Sequence, residues 1–437
     1  MIGNAASRQP INRRRLLQLL GLTGLAATAA CAGPGSGGGA GGGAEVDPIP
    51  AGPVEGEISF AHWRAEDQKV FEDLIARFVG EHAGVSVRQD IAPSNDYQST
   101  ALQRIRGGAV GDVFTAFRGA QFTDMVSAGL FSDLSGLPVV GNYAPALIEP
   151  GAADGKQYGL PYQLVFNMPV SNLDVLESVG VTEQPKDWDG FLAFCEAVLG
   201  KGLVPMAWPG GEPGNAGQLF NSMVMNNAPS PDMCTKIESG EYKCTDDWFV
   251  RTLEQYAQLR PYVQPNATGT AVEPAQQLFA TGQAALLATG SYHIAAVRAL
   301  GAEFPVGLLS PITTSAAEAT YEGIHNATFI LGVNTASDVR PAALAFVEFL
   351  SDPANAAVYA NGTGQHLTVK GVTYENPDLA ATADWLDRKT LLAPRFQFTD
   401  LDIRNAVENS CIQVIGGTEP RKAAEDAQRI VDQRVGN

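Results

Sequence analysis

From Glu57 onward the apolar positions switch between two rhythms. Glu57 to Phe60 (EISF) has the pattern of a short strand. Val70, Phe71, Leu74, Ile75, Phe78 and Val79 then fall on one helical stripe. Val85 to Ile91 predicts a second strand, and Ser94 or Asn95 is a fitting N-cap for a helix through Arg106. Asp112 to Phe117 predicts a third strand, with a helix from about Ala120 to Ser127 behind it. Strands separated by single helices read as right-handed βαβ units and a parallel sheet. Ligand sites in such sheets lie beyond the carboxyl ends of the strands. The loops His62-Trp63-Arg64, Pro93 to Tyr97 and Phe117 to Gln121 are therefore candidates.

The second half repeats the theme. Gly155 to Tyr162 predicts a turn entering a strand, and Leu164 to Val170 stays extended. Pro185-Lys186-Asp187 caps a helix carrying Trp188, Phe191, Leu192, Phe194, Cys195 and Val198, and Trp248 to Arg260 is amphipathic. Gln276 to Gly282 predicts a helix and Ala284 to Ala288 a strand. Ala327 to Val333 predicts another strand, Pro341 to Leu350 a helix ended by Asp352-Pro353, and the tail two helices parted by Gly416-Gly417. Trp188 and Trp248 sit in apolar stripes and read as core. Trp385 has no clear place. Asp112 reads as a residue that orients a strand-end loop.

The first 44 residues follow neither rhythm. Arg13-Arg14-Arg15 precedes an apolar run, Leu16 to Ala30, that is too short for a permanent membrane span. Cys31 and a glycine-rich tether follow. Asn12 to Leu17 resembles a twin-arginine export signal, and Ala29-Ala30-Cys31 resembles a lipoprotein lipobox, with Thr28 where Leu or Val is usual. The expectation is an export signal over 1–30 and a lipidated Cys31 with its tether over 31–44. A cleaved signal with an incidental cysteine is the alternative. Either way the mature chain works outside the cytoplasm, as a protein lipid-anchored at the outer face of the membrane or periplasmic.

Removing residues 1–30 takes away four arginines and no acids, so the formal charge moves from -18 to -22. That charge argues against nucleic acid or an anionic membrane surface as partner. The remaining length suffices for two domains. Cys195, Cys234, Cys244 and Cys411 remain, an even count that suggests two disulfides in an oxidising compartment. Cys234–Cys244 closes an easy loop, and Cys195–Cys411 follows by elimination; buried free thiols are the alternative. Cargo folded in a reducing cytoplasm would have to close such bridges after export. The histidines and cysteines show no metal spacing, and no Gly-x-Ser-x-Gly, His-Glu-x-x-His or phosphate loop is present. Gly33, Gly35 and Gly38 match a dinucleotide pattern only within the tether.

Four segments carry a resemblance to a known family: the opening strand–helix–strand ending in GDVFTAF, GKQYGLPYQLVFNMPVSNLDVLESVGV, LFATGQAALLATGSYHI, and FILGVNTASDVRPAALAFVEFLSDP. In this order, from about residue 55 to the end, the chain resembles the extracellular solute-binding proteins of bacterial ABC transporters, the family of the maltose- and other carbohydrate-binding proteins. The resemblance implies an α/β fold of two lobes, type II-like, each a mostly parallel sheet flanked by helices. Lobe one would comprise 45–168 and 328–367, and lobe two 169–327 and 368–437. The crossings would lie near Phe166–Asn172, Thr328–Leu331 and Gln365–Val369. It implies a monomer that captures a sugar by hinge closure and hands it to a membrane permease, with no cofactor and no catalysis.

Sugars need aromatic rings for their C–H faces and polar side chains for their hydroxyls. Trp63, Arg64, Phe117, Arg118 and Gln121 follow strands and qualify. By resemblance, Trp208 in MAWPGG, Tyr292 and His293, Glu322 and His325, and Arg395 are the further candidates. Arg64, Arg118 and Arg395 leave a glycerophosphodiester open as ligand; a polyamine would need more cleft carboxylates. A secreted glycoside hydrolase, using a pair such as Asp400 and Asp402, is the alternative of a different class. A sensor lipoprotein serving a receptor is another.

Overall fold

The computed structural model describes residues 49–108 and 110–436. The export signal, Cys31 and the tether lie outside the described residues. Among those described, no helix is long and apolar enough to cross a membrane.

Two sheets organise the chain. The first has seven strands: β1 (Gly56–His62), β2 (Val85–Ile91), β3 (Val113–Ala116), β4 (Leu160–Phe166), β9 (Gly323–Val333), β10 (His366–Leu367) and β11 (Thr390–Leu392). Its order is β10-β4-β9-β3-β1-β2, with β11 on β9. The second has four strands, β5 (Val170–Asn172), β6 (Val204–Ala207), β7 (Ala284–Leu287) and β8 (Val306–Leu308), ordered β8-β5-β7-β6. Helices separate β1, β2 and β3, and these strands are parallel, as the alternating rhythms predict. The sheets as a whole are mixed rather than mostly parallel. Strand β9 runs antiparallel to both β3 and β4, and β5 antiparallel to β7 and β8. The reason is that β9 and β5 follow passages between the sheets and not crossover helices within one.

Local signals set the elements. Helix α1 (Gln68–Glu81) buries Phe71, Leu74 and Phe78 on one face. Asp187 Oδ1 accepts the Gly190 amide at 2.8 Å, capping the helix Trp188–Gly200. Asp400 Oδ1 accepts the Asp402 and Ile403 amides at 2.8 and 3.1 Å, capping Leu401–Ile415. Each such cap contributes about 1 kcal/mol.

The apolar interior forms two cores. One takes residues from Ile58 to Tyr162 and from Phe329 to Leu379; the other runs from Leu164 to Ala327 and from Trp385 to Val431. Two of these changes coincide. Gln163 on β4 and Thr328 on β9 are cross-strand partners, and Leu367 on β10 pairs with Gln163 on its other side. The last change falls between Leu379 and Trp385. Immediately after Thr328, Phe329 has φ +54°, a left-handed backbone that costs a side-chain-bearing residue roughly 1–2 kcal/mol. Its ring lies 4.9 Å from that of Trp63 and 6.0 Å from that of Phe71, which hold it there.

The expected disulfides do not form. Cys195, Cys234, Cys244 and Cys411 are free and buried. The Cys234 thiol donates to the Pro394 carbonyl at 3.3 Å and the Cys411 thiol to the Glu408 carbonyl at 2.9 Å. The thiols behave as small apolar core groups, so an even count carried no pairing information. Burial raises all four above the ordinary thiol range, Cys244 to about 12.

Candidate functional site

Because β1 and β3 are parallel neighbours, the loops leaving their carboxyl ends meet. Trp63 and Phe117 stack with centroids 3.7 Å apart and planes 17° from parallel. Tyr97, from the third candidate loop, closes on Trp63 at 5.5 Å. Trp63 is thus 7% exposed and covered on several sides, while Phe117 is half-buried and forms the outer ring of the pair. Gln121 ties these loops together. Its Oε1 accepts the Phe117 amide at 2.8 Å, and its Nε2 donates to the carbonyls of Tyr97 and Gln98. A side chain so committed orders the wall and has little left for a ligand hydroxyl.

The arginines differ in their partners. Arg64 binds both oxygens of Asp67, at 2.7 and 3.1 Å, and reaches Glu66 at 2.9 Å. Burial works against its charge, but the Asp67 carboxylate outweighs this and holds it above its ordinary value. Tyr359 donates to the same Asp67 at 2.5 Å and accepts from Gln163, linking this loop to the level where the cores change. Arg118, two residues beyond β3, donates to Glu149 at 3.3 Å, and burial pulls its guanidinium down to about 10.

The opposite wall comes from the second core. Tyr292 donates to Asn215 Oδ1 at 3.1 Å, its ring 4.4 Å from that of His293. The preceding Gly290 is obligatory: a Cβ there would lie 2.3 Å from the Tyr292 ring and 2.9 Å from the Phe166 carbonyl. Ser291 Oγ accepts the Phe166 amide at 3.0 Å, joining this wall to β4. His293 is lowered to about 4, by burial first and by the nearby charge of Arg64 second; this pairs groups of opposite walls. Arg395 is held by Glu408, whose two oxygens accept at 2.7 Å, and by the Gly214 carbonyl at 3.2 Å.

Beside Arg118, and lined by neither the Trp63–Phe117 pair nor Tyr292, lies an open cavity of about 500 Å³. Arg118, Phe122 and Thr123 line it from one core, and Asp232, Thr235 and Gln397 from the other. His325, on β9, donates to or accepts from Thr390 Oγ1 at 2.8 Å. Burial, and then the charge of Arg118, lower it to about 4. A cavity of this volume suits a small ligand.

Two expected site residues lie elsewhere. Trp208 is fully buried, its Nε1 donating to the Ala216 carbonyl at 3.1 Å and its ring 6.3 Å from Tyr256. It packs the base of its loop because β6 ends directly under helix Pro213–Val224. Glu322 lines a different cavity, of about 940 Å³, whose walls include Leu176, Leu309 and Tyr321 of the second core and its fringe. The spacing from β9 placed Glu322 near the crossing, but it precedes the strand, six positions before the core changes at Thr328. Sequence reasoning missed Asn215, Asp232 and Thr235. Asn215 has a readable signal in the Pro213-Gly214 helix start; Asp232 precedes, and Thr235 sits in, the helix Met233–Glu238, which is too short to show a rhythm. Asp400 and Asp402 are occupied by helix capping and by Arg434, 2.7 and 3.5 Å away, and do not face this cavity as a carboxylate pair. Among the described residues no cluster has metal-ligand geometry.

A family model for bacterial extracellular solute-binding proteins matches residues 63–357, most of the chain. The chain belongs to that family. A Brucella abortus protein, named provisionally as a binding protein, is 24% identical over 31% of this chain, which spans only a third of that relative's length. An Escherichia coli protein, named provisionally as the periplasmic-binding component of an ABC transporter, is 24% identical over 77% of each chain. Among solved structures, apo RafE from Streptococcus pneumoniae superposes with a TM-score of 0.76 at 17% identity, covering 88% of this chain and all of RafE. RafE in complex with raffinose gives 0.75 at 18%, covering 87% and 99%. These likenesses show a two-lobe solute-binding fold.

Proposed function

We propose that this chain is the extracellular receptor of an ABC importer and captures a sugar or oligosaccharide by closing two lobes around it. The reading is carried by one observation. The Trp63–Phe117 pair immediately precedes Arg118, which lines a cavity of mixed polarity shared by residues next to both cores. The Phe122 and Phe396 rings in its lining serve the C–H faces of a pyranose, while Arg118, Asp232, Thr235 and Gln397 serve hydroxyls. The raffinose bound by RafE and the transporter role named for the E. coli relative support it.

The lobes would divide as the cores do, flexing at Gln163, at Thr328 and between Leu379 and Trp385. Ligand gains its second set of contacts only in the closed form, so its differential affinity shifts the equilibrium. The closed monomer would then dock on the permease. No bond changes, and no catalytic group is needed. Residues 1–30 would direct export and Cys31 would carry a lipid, which a mass increase on Cys31 and release of a Cys31→Ala variant into the medium would test.

A thermal-shift screen against mono- and oligosaccharides tests the central reading. A ligand that binds only the native state raises the melting temperature. The expected result is a concentration-dependent rise with at least one saccharide, together with contraction in solution scattering. No response to any saccharide, or cleavage of one, overturns the reading.

A further inference from the structure

Three arginines were candidates for the site, and two are already satisfied by carboxylates. Arg64 has Asp67 and Glu66, and Arg395 has both oxygens of the buried Glu408. Arg118 is different. Its side chain is 16% exposed, and among the described residues it pairs with Glu149, at 3.3 Å and 75% exposed. A long contact to a solvated carboxylate recovers little of what a desolvated guanidinium gives up. This is the arginine that opens on the cavity.

We propose that the ligand carries an anionic group, which Arg118 meets inside the cavity. The inference deepens the sugar reading and rests on it: the saccharide is an acidic one, such as a uronate. A carboxylate there forms charge-assisted hydrogen bonds with a fork-shaped donor whose own side chain is largely shielded from water. The surrounding groups agree with a single negative charge. His325, beside Arg118, stays neutral at physiological pH. Of the two carboxylates that line the cavity, Glu149 faces Arg118 and Asp232, across from it, lies 3.7 Å from Lys236, which offsets its charge, so that side suits hydroxyls. Leu391, Leu392 and Phe396 supply an apolar wall for the ring's C–H face. The same anionic contact would accept a phosphodiester, and the experiment separates the two.

The test is calorimetric titration with matched pairs, a neutral oligosaccharide and the same compound oxidised at C6 to the uronate, beside a glycerophosphodiester. Wild-type protein is expected to favour the uronate by roughly tenfold or more. The ratio should collapse toward one in Arg118→Gln and survive in part in Arg118→Lys. A neutral saccharide that binds as tightly as its uronate overturns the inference and leaves the sugar reading standing. An unchanged ratio in Arg118→Gln also overturns it. Binding of the glycerophosphodiester but of no saccharide keeps the anionic contact and removes the sugar. Binding of none of the three overturns both.

Discussion

Trp63 lies face to face with Phe117, centroids 3.7 Å apart, although the two residues are 54 positions apart in the chain. The contact exists because β1 and β3 are adjacent and parallel, pairing Phe60 with Val113. It gives the two rings unequal roles. Trp63 is enclosed by Phe117, Tyr97 and Phe329, whereas Phe117 is the outer member. Trp63→Ala is therefore expected to lower folding stability by about 3 kcal/mol. Phe117→Ala should weaken saccharide binding with a smaller loss of stability. Urea unfolding and titration calorimetry on both variants check this; equal effects on both measures would refute the division of roles.

The Arg395–Glu408 pair predicts a second asymmetry. Glu408 is buried, and Arg395 bridges it to the Gly214 carbonyl at the start of the Pro213–Val224 helix. Glu408→Leu leaves the guanidinium without its carboxylate and should destabilise by about 3 kcal/mol. Arg395→Met combined with Glu408→Leu should recover most of that loss. Denaturant midpoints of the single and double variants measure it, and an additive double variant would show that the two do not act as a pair.

Acid should destabilise the protein through its histidines. Burial lowers His62, His293, His325 and His366 from 6.5 to about 4. In the native state they stay neutral down to that pH, while the unfolded chain protonates them near its ordinary value. Their stabilisation is complete above about pH 6.5 and is lost as pH falls toward 4, at up to ~1.4 kcal/mol per pH unit for each histidine. Urea midpoints measured from pH 7.5 to 4.5 should fall accordingly. His366→Gln should reduce proton uptake on unfolding at pH 5 by about one; a flat profile in the wild type contradicts the assignment.

The thiols give a fourth test. A thiol-specific reagent should leave Cys195, Cys234, Cys244 and Cys411 unmodified in the native protein and label all four after denaturation. A reductant should not move the melting temperature. A drop on reduction would reveal a bridge.

Much of the fold was legible because its rhythms are local. The stripe on Gln68–Glu81, the Asp187 cap and the two tail helices around Gly416-Gly417 each depend on residues within a few turns. Strand direction was not, since β9 is antiparallel to β3 only because the chain returns from the other sheet. The candidate site divides the same way. The loops after β1 and β3 were readable, because parallel strands bring their carboxyl ends together. Trp208 was misplaced because exposure depends on what packs above a loop, and Gln121 because its partners, Tyr97 and Gln98, are distant in sequence. Cysteine parity had no bearing on distance at all.

The unbonded thiols have a consequence for how this protein is made. With no covalent cross-link among the described residues, its native state can be reached in a reducing or an oxidising compartment alike. An export route that demands a finished fold would ask nothing of it afterwards: no oxidase, no isomerase and no waiting step on the far side of the membrane.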